Sequence, residues 1–237
     1  IYTRSQLPIA DGSCRFSVLR TIALLKRHRR FAIFSTPSSF IGNFSMQIPI
    51  YVLGLMGQAA WIGLFTRGRQ LISMPVTLAA GSVAQVYQQR AAEQYRNTQT
   101  CWKVFRKTAI MLTSIGLPPT LVLMFSGPDL CEFALGPNWR AAGEVARILA
   151  PMLLMRFICN PLATTFHVVG AQKDDLRFAL LTAAIVSTGV AISVILKSSP
   201  HGILVGYSAG YFLAYLFYTL RAGWLSRPQS NAVLSPA

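Results

Sequence analysis

Only seven of the 237 residues are acidic: Asp11, Glu93, Asp129, Glu132, Glu144, Asp174 and Asp175. None falls inside the six long apolar runs of the chain, so no carboxylate relay is expected there. That argues against a proton- or sodium-coupled pump, and against a membrane-embedded transferase or hydrolase that needs a carboxylate as base or metal ligand. Cysteine and histidine are scarce as well. Cys14, Cys101, Cys131, Cys159 and the three histidines share no ligand-like spacing, so neither a structural metal nor a cofactor is expected. Cys14 and Cys101 are expected on one side of a membrane, Cys131 on the other and Cys159 within it, which leaves no intramolecular disulfide to expect. Charged residues make up 12% of the chain, against about a quarter in a soluble domain.

What the chain has instead is hydrophobic length. Residues of the hydrophobic class reach 53% and mean hydropathy is +0.45. Six stretches of the ~20 apolar residues that a bilayer core requires follow one another, at about 38–56, 61–86, 108–126, 148–169, 177–196 and 203–220. The expected fold class is all-α: a polytopic membrane protein whose six transmembrane helices form one lobe of a helical bundle. Residues 1–30 read as a cytoplasmic basic connecting segment, 31–222 as the six-helix lobe and 223–237 as a cytoplasmic tail.

The net charge of +15 would suggest a nucleic-acid partner in a soluble chain, but its placement excludes one. Arg15, Arg20, Lys26, Arg27, Arg29 and Arg30 precede the first run, and Arg90, Arg96, Lys103, Arg106 and Lys107 separate the second from the third. Lys173 and Arg177 precede the fifth, and Arg221 and Arg227 follow the sixth. Only Arg140, Arg147 and Lys197 fall in the alternate connections, which is the positive-inside pattern for six spans with both ends cytoplasmic.

Three arginines lie within the runs: Arg67, Arg69 and Arg156. An ionisable group there costs several kcal/mol and needs a partner or an aqueous cavity. Two residues apart on a helix is roughly 200°, so Arg67 and Arg69 cannot both face one cavity. Arg67 begins a stripe with Gln70, Met74, Thr77, Gly81 and Gln85, while Arg69 shares its face with Ser73. Arg156 stands one turn before Asn160 and Pro161. A cavity with arginines and no acids suits an anionic ligand such as a phosphate or pyrophosphate, which guanidinium binds in bidentate fashion. The candidate substrate-binding set is Arg67, Arg69, Gln70, Arg156 and Asn160. Pro49, Pro75, Pro151 and Pro161 each remove a helix hydrogen bond and are candidate kinks or gating points. The connection 127–147 is expected to be the longest outer loop, with Asn138 capping a helix that starts at Trp139 and lies on the membrane surface.

Gly136-Pro137-Asn138-Trp139-Arg140-Ala141-Ala142-Gly143, then Arg147-Ile148-Leu149-Ala150-Pro151, Asn160-Pro161-Leu162 and Gly170-Ala171-Gln172, form a distributed pattern. So do Gln47-Ile48-Pro49, Gly63-Leu64-Phe65, Arg69 and Pro75 upstream. Together they resemble the second half of oligosaccharide flippases, the polysaccharide biosynthesis proteins of the multidrug/oligosaccharidyl-lipid/polysaccharide exporter superfamily. The resemblance covers about residues 31–220.

It implies a lobe that moves undecaprenyl-pyrophosphate-linked oligosaccharide across the bacterial inner (cytoplasmic) membrane for lipopolysaccharide O-antigen, capsule or exopolysaccharide. No bond is made, so no enzyme activity is expected. The implied partners are the lipid-linked oligosaccharide, membrane lipids, a missing N-terminal six-helix lobe and polysaccharide polymerase machinery, with no nucleic acid. Alternatives are a multidrug exporter or lipid II flippase of the same superfamily, a membrane polymerase or acyltransferase of polysaccharide assembly, and a structural subunit.

Overall fold

The computed structural model describes residues 29–197 and 199–228, and among them the chain is helical with no strand. Six long helices run as α1 (Arg29–Leu55), α2 (Ala59–Thr98), α3 (Trp102–Leu135), α4 (Arg140–Ala163), α6 (Gln172–Ile195) and α7 (Pro200–Ser226). A short α5 (Thr165–Val169) follows α4, and a 3-10 turn (Pro137–Trp139) precedes it. Nearly all of the basic segment 1–30, the end of the tail and Cys14 lie outside the described residues.

Each expected apolar run falls on a long helix, the fourth also crossing a break at Thr164 into the short α5. Four stretches are long and apolar enough to cross a membrane: Trp102–Leu135, Pro137–Val169, Asp174–Ile195 and Pro200–Ser226. α1 and α2 are not among them, because Asn43 and Gln47, and Arg67, Arg69 and Gln70, dilute their apolar character.

Several expected boundaries are corrected. α2 continues to Thr98, well past 86, so the expected basic loop before α3 is mostly helix; only Gln99–Cys101 connects the two. The expected outer loop 127–147 is also helix on both sides of a tight turn at Gly136, whose φ of +97° ends α3. Asn138 is not the cap. Trp139 occupies that position with no side-chain cap bond, and the backbone tightens the turn itself, Trp139 N–H donating to the Gly136 carbonyl at 3.0 Å. With α4 running unbroken from Arg140, no separate surface helix forms. At the other end, α7 continues through the expected tail boundary at 223 to Ser226.

The fifth run begins earlier than expected. α6 starts at Gln172, and the apolar span within it starts at Asp174, so Asp174 and Asp175 are helix residues at the end of a membrane span. The helices that can cross a membrane also carry Asp129, Glu132 and Glu144 near their ends, while the apolar runs themselves hold no acidic residue.

α4 is the central helix: 67% of its most apolar stretch is buried, against 17% in α3 and 11% in α6, so those two present their flanks to lipid. It packs on α2, α3 and α7, while α1 lies mainly on α6 and only loosely against α2. Small residues bring the helices close. A Cβ on Gly143 of α4 would stand 2.6 Å from the Gly127 carbonyl and the Pro128 Cα of α3, and one on Gly206 of α7 would stand 2.6 Å from the Gly189 carbonyl of α6.

At the end of α7 the α2–α3 turn is tied down. Cys101 N–H donates to the Ser226 carbonyl at 3.1 Å and the Thr100 hydroxyl to the same carbonyl at 2.8 Å. Cys101 is fully buried, and burial pushes its thiol up to about 11. The thiol is thus protonated and inaccessible near neutral pH. A variant keeping Cys101 as its one cysteine should resist maleimide until detergent or urea unfolds the turn; rapid labelling of the folded protein would contradict this packing.

Candidate functional site: a polar groove between the first two helices

The cleft left by the loose α1–α2 contact is about 430 Å³, lined by Phe40, Asn43, Phe44, Gln47 and Tyr51 of α1 and by Arg69 of α2. The α1 members fall at i, i+3, i+4, i+7 and i+11 and so share one helix face. Phe44 and Tyr51 stack with ring centroids 5.5 Å apart. Phe40, Phe44 and Tyr51 are more than half exposed, a row of aromatic rings with an amide between them.

Arg69 bridges the cleft. One guanidinium nitrogen donates to the Met46 carbonyl at 2.8 Å and another to the Gln47 side-chain oxygen at 3.4 Å, while the group lies 5.2 Å from the centre of the Phe65 ring. The Tyr207 hydroxyl of α7 donates to the same Met46 carbonyl at 3.3 Å. Pro49 stands in the same stretch of α1 and lacks the amide that would bond the Ser45 carbonyl, one residue before Met46.

The structure thus divides the expected site residues. Arg69 reaches into the groove, while Arg156 is on α4 and is not part of its lining. Arg156 is half-buried, and it takes part in none of the ion pairs among the described residues. Asn160 lines a second cavity, of about 190 Å³, with Asp175, Tyr211 and Tyr218. Arg67 and Gln70 stand apart. With Met74, Thr77, Gly81 and Gln85 they form an exposed stripe pointing out of the bundle, while Arg69 turns inward, as a 200° separation requires.

Among the candidate hinges, Pro49, Pro151 and Pro161 lie inside helices and Pro75 within the range of α2. Pro161 is two residues from the end of α4, where both the amide and the hydroxyl of Thr164 donate to its carbonyl.

Sequence reasoning missed Asn43, Gln47, Tyr51, Tyr207, Tyr218 and Asp175. The tyrosines had a readable signal. Tyr207, Tyr211, Tyr215 and Tyr218 follow a 4,4,3 spacing, which is one helix face. A third cavity, about 270 Å³ between α2, α3 and α4, is lined by apolar groups such as Ile72, Val76, Ile115 and Leu154, with no charge or amide, and suits a hydrocarbon chain rather than a polar ligand.

A bundle of lipid-facing helices with a polar, aromatic and cationic groove on its open side defines an integral membrane protein. A model of the family described as polysaccharide biosynthesis protein matches residues 13–144, more than half of the chain. The chain belongs to that family, which assigns it a role in polysaccharide biosynthesis or export. The comparisons with curated proteins and with solved structures return no match.

Proposed function

We propose that this chain is a lobe of a transporter that carries lipid-linked (undecaprenyl-pyrophosphate) oligosaccharide across the bacterial cytoplasmic membrane, for lipopolysaccharide, capsule or exopolysaccharide. It makes and breaks no bond. The observation that carries the reading is the α1–α2 face. Asn43, Gln47, Arg69 and the exposed stripe from Arg67 to Gln85 are poorly matched to lipid, and they sit on the two helices too polar to count as ordinary spans. Such a face needs a polar ligand and a second lobe to close over it, in a cavity that opens alternately to each side.

The side chains suit a glycan pyrophosphate. Aromatic rings stack on sugar faces, amides meet hydroxyls, and Arg156, with no carboxylate partner among the described residues, offers charge to an anion. On this reading both ends of the lobe are cytoplasmic, and the partners are the lipid-linked substrate, a first six-helix lobe and polysaccharide polymerase machinery. A multidrug exporter of the same superfamily is favoured by one observation, the half-buried Asp175 in the lining of the second cavity, since a carboxylate facing a cavity of the bundle is what ion-coupled exporters use.

Arg69→Ala and Arg156→Ala, made in the full-length protein in its native cell, should each reduce surface polysaccharide at least tenfold while leaving the amount of protein in the membrane unchanged. Normal polysaccharide from both variants would overturn the site; unchanged polysaccharide after deletion of the gene would overturn the function.

A further inference from the structure

The exposed stripe of α2 does not stop at Gln85. Gln88, Ala92, Tyr95 and Arg96 continue it at the same spacing of three and four residues, so one face runs from Arg67 to the last turn of the helix. This is the basic end of the bundle, where Arg90 and Arg96 of α2 stand near Lys103, Arg106 and Lys107 of α3. There the stripe meets α5. Gln88, Ala92, Tyr95 and Arg96, with His167 and Val168 of α5, line a cavity of about 300 Å³ that shares no residue with the Arg69 groove.

The fold sets the wall of this cavity. α4 ends at Ala163, and beyond Thr164 the short α5 turns against α2, where the hydroxyls of Thr165 and Tyr87 form a buried hydrogen bond of 2.6 Å. Four of the six lining side chains, Gln88, Tyr95, Arg96 and His167, carry N–H or O–H groups, and none of the six is acidic. Neither Arg96 nor its neighbour Glu93 takes part in the ion pairs among the described residues. A cation in the last turn of a helix complements the helix dipole, which accounts for Arg96 by itself. It does not account for polar groups from two elements converging on one cavity without an acid.

The level of the cavity indicates where its ligand comes from. α2 has 40 residues, a length of about 60 Å against the ~30 Å of a hydrocarbon core, so its ends stand clear of the acyl chains. Two indoles mark the headgroup layer at the basic end: the Arg227 guanidinium lies 4.8 Å from the ring centre of Trp102, and that of Arg221 lies 4.5 Å from the ring centre of Trp224. Trp102 opens α3, four residues after the end of α2.

We infer that this cavity binds the phosphate or pyrophosphate of a lipid headgroup at the basic end of the bundle, where the α2 stripe begins. The Arg96 guanidinium takes two phosphate oxygens at once, and Gln88, Tyr95 and His167 supply further hydrogen bonds. The lipid chain stays in the bilayer, so the site reads the anion and not the hydrocarbon. That the bound headgroup next moves along the stripe toward Arg67 rests on the transport function proposed above; the binding itself does not.

The test is a footprint confined to the site. His167 is exposed and open to diethyl pyrocarbonate, while His201, beside Trp61 and Glu144 at the opposite end, is an internal control. Modification of each would be measured by mass spectrometry on the full-length protein in phosphatidylcholine nanodiscs. Farnesyl pyrophosphate should reduce modification of His167 at least fivefold and leave His201 unchanged. Farnesol, which lacks the anion, should protect neither, and inorganic pyrophosphate should need at least tenfold higher concentration. Arg96→Ala should abolish the protection and Arg96→Lys should restore part of it. Protection that persists in Arg96→Ala, or that farnesol reproduces, would overturn the proposal, and equal protection by inorganic pyrophosphate would overturn the lipid source. The double variant Arg69→Ala, Arg156→Ala should keep the protection; its loss there would place the ligand in the groove and overturn the separate site. Surface polysaccharide in cells carrying those two substitutions is a different readout, so failure of the transport reading leaves this result standing, and the reverse.

Discussion

Replacing Gly143 by valine should leave almost no folded protein in the membrane. At this position α4 meets α3 backbone to backbone, and a Cβ would sit 2.6 Å from both the Gly127 carbonyl oxygen and the Pro128 Cα. Neither neighbour is a side chain that could rotate away, so the helices would have to separate by more than an ångström along their contact. In soluble cores added bulk costs about 1–3 kcal/mol when side chains can give way. Here the cost is larger, because association of membrane helices depends on close packing rather than on a hydrophobic driving force.

α4 is also the helix on which α2, α3 and α7 all rest, so the damage would spread beyond one pair. Gly63→Val is the control: a Cβ there meets nothing within 4 Å. Quantifying monodisperse protein after detergent extraction would check the pair, and equal yields would mean that the α3–α4 contact is looser than described.

Phe166→Ala should be the most damaging truncation of a large side chain at the basic end. Phe166 is fully buried, 4.8 Å from Tyr218 and 6.0 Å from Phe178 by ring centroids, and those two rings lie 5.2 Å apart. In a water-soluble core Phe→Ala costs about 3–5 kcal/mol. Part of that is transfer from water, which shrinks when the separated helices face lipid, so roughly 2 kcal/mol from lost dispersion and the cavity remains. The loss has a local consequence too, since Phe166 backs the ring whose hydroxyl binds Asp175. Phe166→Ala should lower the midpoint of thermal unfolding in detergent by several degrees, with Phe166→Leu recovering most of the difference. An unaltered midpoint would show that the aromatic cluster adds little to the bundle.

Much of the architecture was legible in the chain because a bilayer imposes strong one-dimensional rules. Apolar length located the helices, and the scarcity of charge inside them made three arginines conspicuous. The boundaries were less legible. Runs such as 87–98 and 127–135 carry charge or proline and read as loops, yet hydrogen bonding within a helix satisfies their backbone whether or not they leave the hydrocarbon. Asp175 was misplaced for the same reason, since its helix begins before its apolar run. The groove was half legible. The separation of Arg67 from Arg69 followed from helical geometry, but Gln47, Asn43 and Tyr51 draw their importance from α1 standing away from α2, which no periodicity on either helix reveals.

What the sequence by itself determined is therefore the solvent, the helices and the angular order of side chains around each of them, all of which depend on residues near one another in the chain. Tertiary structure alone decided that Arg69 and Tyr207 share the Met46 carbonyl, and that Asp174 pairs with Arg177 and Arg221 while Asp175 accepts the hydroxyls of Tyr218 and Ser38. These relations join α1, α2, α6 and α7, and they follow from how glycine contacts set the helices against one another.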